Sequence, residues 1–323
     1  MKKRLVSPSS GAKAALPWRK LIRLIIILLS ITFLSYALIE LAPGDPADIM
    51  LRASGVIPSE AAVQTLRAEL GLDKPFLQRY FLWLAGALHG DLGTAFSTGL
   101  PVTDTLLPAL GRTVVLTLWS FALTLAISIP LGMLCSRHRD SLPDRIIRIV
   151  TYVAGATPNF VLGVGVMYLL AVKLKLLPAI ANGHSHGYVM PVLVLTIGSA
   201  AWMVRQVRTA ALENRSEGYL LAMKARGLSP LRLERYVLRS AMLPILASLG
   251  GCLGSMLAGA VVVENIFSLS GLGKLALSAI NARDFPLLQG FILWIALIYY
   301  LINFGCDSLY AVFEPRMRGR DRT

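Results

Sequence analysis

His184 and His186, one residue apart in a glycine-containing stretch, are the first candidates for chemistry in this 323-residue chain. Imidazoles so spaced can hold a transition metal. No Asp, Glu or Cys stands near enough to complete a ligand set, so the pair reads as a polar loop. The run SLSGLGK at 268–274 has the look of a phosphate loop, but it lacks the G-x-x-x-x-G-K-[ST] spacing that lets successive N–H groups cradle phosphates. No nucleophile stands beside a base, no H-E-x-x-H appears, and no carboxylates pair within the apolar runs. No catalytic residue and no metal site is therefore expected. Cys135, Cys252 and Cys306 fall in or beside apolar segments, without ligand spacing or a disulfide framework.

A stronger signal is the stretch 205–244, RQVRTAALENRSEGYLLAMKARGLSPLRLERYVLRSAMLP. Arg205, Arg208, Arg215, Lys224, Arg226, Arg232, Arg235 and Arg239 stand against Glu213, Glu217 and Glu234, between two uncharged apolar segments. A basic loop between membrane spans is retained in the cytoplasm. Ser216 is placed to cap a short helix that stops at Gly227, a residue suited to the left-handed position after a helix end. Ser229-Pro230 restarts a second helix, with Ser as N-cap and Pro in the first turn. Tyr219, Leu220 and Met223 are apolar where a solvated loop would not need them. The expected product is a small helical knob suited to docking into another protein.

The elements that position this knob follow from composition. The chain is 55% hydrophobic and 15% charged, with a mean hydropathy of +0.63, which suits a multi-span helical membrane protein. The formal net charge of +14 does not imply nucleic acid. Lys and Arg sit in short loops, as membrane topology requires, and are not interleaved with stacking aromatics.

A basic segment carrying Lys2, Lys3, Arg4, Lys13, Arg19, Lys20 and Arg23 precedes the apolar run 24–39. A turn-rich exit, LAPGDPADIM, follows instead of a small-residue cleavage site, so the run reads as a spanning helix rather than a cleaved signal. Residues 41–111 form a substantial insertion with more acidic than basic side chains, expected outside. Within it Ser59 caps a helix that places Val63, Leu66 and Leu70 on one face and ends at Gly71. A second amphipathic helix, 75–88, aligns Phe76, Tyr80, Phe81, Leu84 and Leu88; both helices are open to packing on the bundle, to lying on the membrane surface or to covering the outer mouth of a pore.

Five further uncharged runs, 113–134, 149–172, 188–204, 240–263 and 287–305, approach or exceed the about 20 residues needed to cross a bilayer. The predicted fold is an all-α integral membrane protein with six transmembrane helices and both termini cytoplasmic. Its expected divisions are a tail 1–20, helix 21–40, insertion 41–111, transmembrane core 112–312 with a cytoplasmic loop 205–240, and tail 313–323. Two features inside spans stand out. Gly250, Gly251, Gly254, Ser255, Ala258 and Gly259 form a small-residue face that suits close helix packing or a pore wall. Pro158 and Asn159 interrupt the third span, where a broken helix can line a pathway or simply kink.

The loop around 219–244 resembles the EAA loop of bacterial ABC-importer permeases, and most closely that of the peptide/nickel permease family. The stretches that carry the resemblance are ARGLS at 225–229 and VLRSAMLP at 237–244. LAPGDPA at 41–47 matches in order, as do ELGLDKP, RYFLWL and GDLGTAF within 69–96, TPNF at 157–160, and VVVENIFSLSGLGKLALSAINARDFP at 261–286. The chain is similar to the first permease of a pair, the type with a long outer insertion after helix 1. Two departures stand out: Leu221-Ala222-Met223 replaces the glutamate of the EAA motif, and Ser270 replaces the usual proline before Gly-Leu-Gly, which puts the rigidity of that turn in doubt.

The resemblance implies a type I ABC-importer permease fold and half of a translocation pathway in a bacterial inner membrane. It implies a second permease as heterodimer partner, two cytoplasmic ATPase subunits that use ATP and Mg, and an extracytoplasmic solute-binding protein. This chain would bind no cofactor and hold no ATPase site. Glu217, Tyr219, Leu220, Ala222, Met223, Lys224, Ala225, Arg226, Gly227 and Leu228 would form the coupling helix. Sequence detail around SRHRDSLPD, ENIF and SAINARDFP is slightly closer to nickel or metallophore permeases than to di- or oligopeptide ones. The rival class is an ATPase-independent secondary transporter or channel. It calls for inverted internal halves or ionisable residues within spans, and neither is clear in this sequence.

Overall fold

The computed structural model describes residues 17–41, 44–53, 57–182, 186–215 and 218–313. These residues form twelve α-helices. The first is α1 (Pro17–Glu40); the insertion carries α2 (Pro46–Ala53), α3 (Glu60–Glu69) and α4 (Phe76–Leu88). The bundle continues with α5 (Val102–Arg137), α6 (Leu142–Ala156), α7 (Asn159–Met167) and α8 (Val189–Arg215). Then come α9 (Gly218–Ala225), α10 (Pro230–Ile266), α11 (Leu272–Ala282) and α12 (Phe285–Phe313). The only β pairing among the described residues is a single bridge between Thr94 and Pro101.

Five helices, α1, α5, α8, α10 and α12, are long and apolar enough to cross a membrane; α6 with the α7 segment makes a sixth if the pair is one span. The third span, 149–172, is interrupted at Pro158 and Asn159 as expected, and its two halves meet at 102°. The cause is local. A residue before proline is pushed out of the helical region, and Thr157 is extended at φ −82°, ψ 123°. Pro158 is extended too, at φ −59°, ψ 144°, so two consecutive residues leave the helix. Past the corner, α7 runs into a π-helical turn, Tyr168–Lys173. By contrast Pro108, Pro130 and Pro244 are absorbed inside continuous helices. The run 240–263 and the helix expected to restart at Pro230 are therefore one helix, α10, 37 residues long.

The core lies where α8 packs between α5 and α10. Met203, Val207 and Ala210 of α8 meet Ala241, Ile245 and Met256 of α10. Toward the insertion end, Leu116, Val194, Leu195, Val263 and Phe267 form a second cluster. The helix α1 stays peripheral, against α12 and α4. Its polar side chains fix the contact: Ser35 Oγ donates to Gln289 Oε1 at 2.8 Å, and Gln289 Nε2 donates to the Thr32 carbonyl at 2.8 Å.

In the insertion, Ser59 accepts from the Ala62 N–H, and α3 ends with Gly71 at φ +65°. The face of α4 that packs is rotated from the expected stripe. Phe76, Tyr80 and Trp83 meet Phe33 and Tyr36 of α1, whereas Phe81 and Leu88 are exposed. The helix is apolar on most sides, so spacing alone did not determine which side would pack. On α2, the Arg52 guanidinium beside Asp48 holds that carboxyl below its usual range.

Candidate coupling surface and the frame behind it

The short helix α9 projects from the end of the bundle opposite the insertion and rests on α10. Its stop is a complete Schellman turn. Gly227 sits at φ +76°, its N–H donates to the Lys224 carbonyl at 3.0 Å, and the Leu228 N–H donates to the Met223 carbonyl at 3.3 Å. Leu220, Met223 and Leu228 are half-buried, while Ala222, Lys224, Ala225, Arg226 and Gly227 are exposed. The helix therefore has an anchoring side and a presented side. Ser216 and Glu217 lie outside the described residues, as do the side-chain surroundings of Tyr219 and Leu221. Ser229 occupies the N-cap position of α10, but its side chain makes no capping bond; Pro230 opens the helix instead.

A groove of about 450 Å³ separates α9 from its base and is lined by Leu220, Lys224, Leu233 and Glu234 among others. Under it, three helix ends are tied together. Arg215, at the end of α8, donates to Ser136 of α5 at 3.1 Å and pairs with Glu234 of α10. Arg137 approaches Glu234 from α5 at 3.9 Å. A fourth tie joins α6 to α8: Asp144, fully buried, accepts from Arg208 Nε and Nη2, both at 2.8 Å. This is the forked geometry of the strong arginine–carboxylate pair. The base of α9 is thus a braced frame of helix ends.

From that frame α5 and α8 run together along a stripe of small residues. Ser120, Thr124, Ser128, Gly132 and Ser136 recur every fourth position of α5, and all are buried. A Cβ on Gly132 would meet the Val207 side chain at 2.6 Å and the Val204 carbonyl at 3.0 Å. The backbones approach as small residues allow in lipid. The glycine face of α10 packs within the chain only in part: Gly250 faces Asn303, Gly254 faces Tyr299 and Gly259 faces Asn159, whereas Gly251, Ser255 and Ala258 are exposed. Asn159, at the corner before α7, lies half-buried with its amide against Gly198 of α8 and Gly259 of α10; Pro158 beside it is exposed.

At the insertion end a second braced node closes the bundle. Glu264 of α10 is fully buried and accepts from the Thr113 hydroxyl at 2.5 Å and the Gly273 and Lys274 N–H groups at 2.7 and 3.2 Å. The carboxyl oxygens thereby cap α11, accepting first-turn N–H groups that have no partner within the helix. The Ser270 turn is held by hydrogen bonds where proline was expected. Its N–H donates to Asn182 Oδ1 at 3.3 Å, its hydroxyl accepts from Asn182 Nδ2 at 2.7 Å, and its carbonyl accepts from Arg112 at 2.9 Å. His184 lies outside the described residues, and among the described residues no three His, Cys, Asp or Glu side chains gather to hold a metal. The sequence reading missed Asp144, Arg208, Thr113, Glu264 and the α5 stripe. Only the stripe left a local signal, its four-residue period.

Comparison with known proteins adds an independent line. The model of the binding-protein-dependent transport system inner membrane component matches residues 128–319, and the model of the N-terminal part of that component matches residues 16–117. The nickel import system permease protein NikB of Staphylococcus aureus strain MRSA252 is 30% identical over 93% of this chain and 90% of its own length. The NikB of strain USA300 is 29% identical over the same shares. Among solved structures, an inward-facing MetNI methionine ABC transporter, in its CY5 native crystal form, aligns with a TM-score of 0.58 at 19% identity. It covers 65% of this chain and 96% of that one.

Proposed function

We propose that this chain, which belongs to the family of binding-protein-dependent transport system inner membrane components and is a permease subunit of an ABC importer, imports nickel or a nickel chelate and is driven through α9. The observation that carries the coupling assignment is the shape of α9 itself. It is a short helix with a fixed Schellman stop, an exposed side bearing Lys224 and Arg226, and a base braced across α5, α8 and α10.

In this reading two ATPase subunits hydrolyse ATP with Mg and grip the coupling helices of two permeases. Here that helix is the stretch from Glu217 to Leu228. This chain contributes half of the pathway and no ATPase site. An extracytoplasmic binding protein delivers the solute. The basic end of the bundle and both termini face the cytoplasm of a cell with this subunit in its inner membrane, because Lys- and Arg-rich loops are retained there. The corner at Pro158 and Asn159 borders α8 and α10 and is assigned to the pathway wall.

The nickel assignment is supported by the relatives named as nickel import permeases and by the motif detail at 261–286. Di- or oligopeptides are the second solute class, supported by motif likeness alone. Uptake in a strain lacking the transporter separates them: nickel accumulation restored by the complete system, with dipeptide uptake unchanged, is expected. Restoration of dipeptide uptake alone would reject nickel. For coupling, Gly227→Val places a β-branched residue where φ is +76°, a conformation open chiefly to glycine. The variant should reach the membrane yet lose its ATPase on co-purification. Retained ATPase would remove the role given to α9.

A further inference from the structure

Helix α4 crosses α1 near the end that carries Glu40. The membrane-spanning part of α1, Leu21–Glu40, is 20 residues long, about 30 Å, which is the thickness of a hydrocarbon core. The Tyr80 hydroxyl lies 3.1 Å from the Thr32 hydroxyl and donates to the Leu29 carbonyl at 3.4 Å. At the helical rise those two positions lie about 12 and 16 Å below Glu40 along α1. Phe76 packs edge-on against Phe33 and Tyr36 of the same stretch. The contact between α4 and α1 is therefore made at the depth of acyl chains.

Two contacts fix how α4 is turned: Tyr80 reaches down α1, and Arg79 reaches up. Arg79, the one charged residue of the helix, pairs with Glu40 and marks the side toward the headgroups. In a helix of about 3.6 residues per turn, positions about two before, two after and nine after a residue lie on the opposite side. From Arg79 these are Leu77, Phe81 and Leu88, which are 55, 61 and 80% exposed. The side opposite the charge is thus apolar, unpacked and aimed at the bilayer interior. Beneath it α1 exposes Ile26, Leu29 and Phe33, so the two helices form one apolar corner. Leu82 is exposed too, but it lies nearer the Arg79 side and lines a cavity with Arg79, Lys74 and Glu40. The flanks of α4 are polar and exposed: Asp73 and Lys74 before it, His89 and Asp91 after it.

We propose that α4 is a monotopic helix lying in the plane of the leaflet on the insertion side, with Leu77, Phe81 and Leu88 against acyl chains. Its form suits that place: an apolar edge in hydrocarbon, with polar ends and a paired arginine at the headgroups. Lipid is the occupant because the contacts with α1 set the edge at hydrocarbon depth, and because the edge continues the outward face of a spanning helix. The insertion is then held by the membrane as well as by α1. This placement is independent of the transported solute and of the role given to α9.

The test uses the full transporter complex, reconstituted in vesicles of phosphatidylethanolamine and phosphatidylglycerol. A ketone-bearing phenylalanine analogue replaces Phe81, Leu88 or Asp73 and carries a nitroxide, which leaves the free cysteines unlabelled. Relaxation of the nitroxide by oxygen reports acyl chains, and relaxation by chromium oxalate reports water. At Phe81 and Leu88 oxygen should be the stronger relaxant, and the order should reverse at Asp73. Where a label at Phe81 prevents assembly, labels at Leu77 and Leu88 read the same edge. Stronger relaxation by chromium oxalate along this edge would overturn the proposal and set α4 over a watery mouth. Exclusion of both reagents would overturn it as well, because another protein would then cover the edge.

Discussion

The Thr113 hydroxyl donates to the Glu264 carboxylate at 2.5 Å, and the same oxygen accepts the Leu272 N–H at 2.8 Å. One side chain of α5 thus joins α10 to the first turn of α11, at a point where Glu264 is fully buried. The carboxylate is the acceptor for three donors, and removing it leaves them in a site without water access. Glu264→Ala should lower the thermal midpoint of the solubilised protein by the cost of stranded donors, about 2–3 kcal/mol. Glu264→Gln, which keeps one acceptor oxygen, should lose less. Equal midpoints for Glu264→Ala and the parent would show that the node contributes nothing.

The neighbouring glycines sharpen that expectation. A Cβ on Gly273 would meet the Val261 backbone at Cα and its side chain, whereas Gly165 in α7 has open space around it. Gly273→Ala should destabilise by about 1–3 kcal/mol through overpacking. Gly165→Ala should stabilise slightly, by about 0.5–1 kcal/mol, because alanine favours the helix. Thermal unfolding of the two variants side by side checks both signs. A neutral Gly273→Ala would mean that α11 can shift away from α10.

Part of this architecture was legible in the chain and part was not, for physical reasons. Gly227 and Gly71 announce left-handed helix stops because only glycine takes that conformation without a Cβ clash, and both lie there. Ser59 and Pro158 act within one turn of their own position, so local sequence suffices to place a cap and a break. The size of the break, 102°, depends on what α6 and α7 pack against. Asp144 and Arg208 are 64 positions apart, and Thr113 and Glu264 are 151 apart. Nothing local pairs them; only the folded bundle does. The packed face of α4 shares Phe76 and Tyr80 with the expected stripe but turns toward Trp83 and away from Phe81 and Leu88, because a helix apolar on most sides takes its exact facing from the aromatic partners that α1 supplies.

The Asp144–Arg208 pair offers a prediction in which the double variant outperforms the single ones. Asp144 is fully buried and the Arg208 side chain is 16% exposed. Loss of Arg208 leaves buried Asp144 with only Arg148, at 3.7 Å, and the Asp140 N–H as partners, at a cost of up to about 3–5 kcal/mol. Arg208→Leu and Asp144→Leu should each give low yields of unstable protein, and the combined variant should recover much of the loss. A double-mutant cycle on thermal stability measures the coupling. Simple additivity would show that the two side chains do not depend on each other.

Ser270 stands where the family resemblance leads one to expect proline, and Ser270→Pro would restore the common residue. Proline has no N–H and no hydroxyl. Both bonds to Asn182, at 3.3 and 2.7 Å, would go, while the carbonyl could still accept from Arg112. The expected result is a loss of about 1–2 kcal/mol, one modest hydrogen bond each, and not a gain from a stiffer turn. Increased thermal stability in Ser270→Pro would mean that backbone restriction outweighs the Asn182 contacts.

The stripe on α5 separates packing from polarity. Ser128 is fully buried, and its hydroxyl has no hydrogen-bond partner among the described residues; the hydroxyls of Thr117 and Thr124 are in the same position. If the serine is there for its size, the hydroxyl is dispensable and the volume is not. Ser128→Ala removes an unmatched polar group at nearly constant volume and should be neutral or slightly stabilising. Ser128→Leu must push α5 away from α8, at about 1–3 kcal/mol of overpacking strain. Because α8 leads directly to Arg215 and the base of α9, the leucine variant should also reduce transport more than its residual folded fraction explains. Measuring folded yield and uptake for both variants distinguishes the two causes. A Ser128→Ala as damaging as Ser128→Leu would show that the hydroxyl, through a bound water, is what holds the two helices together.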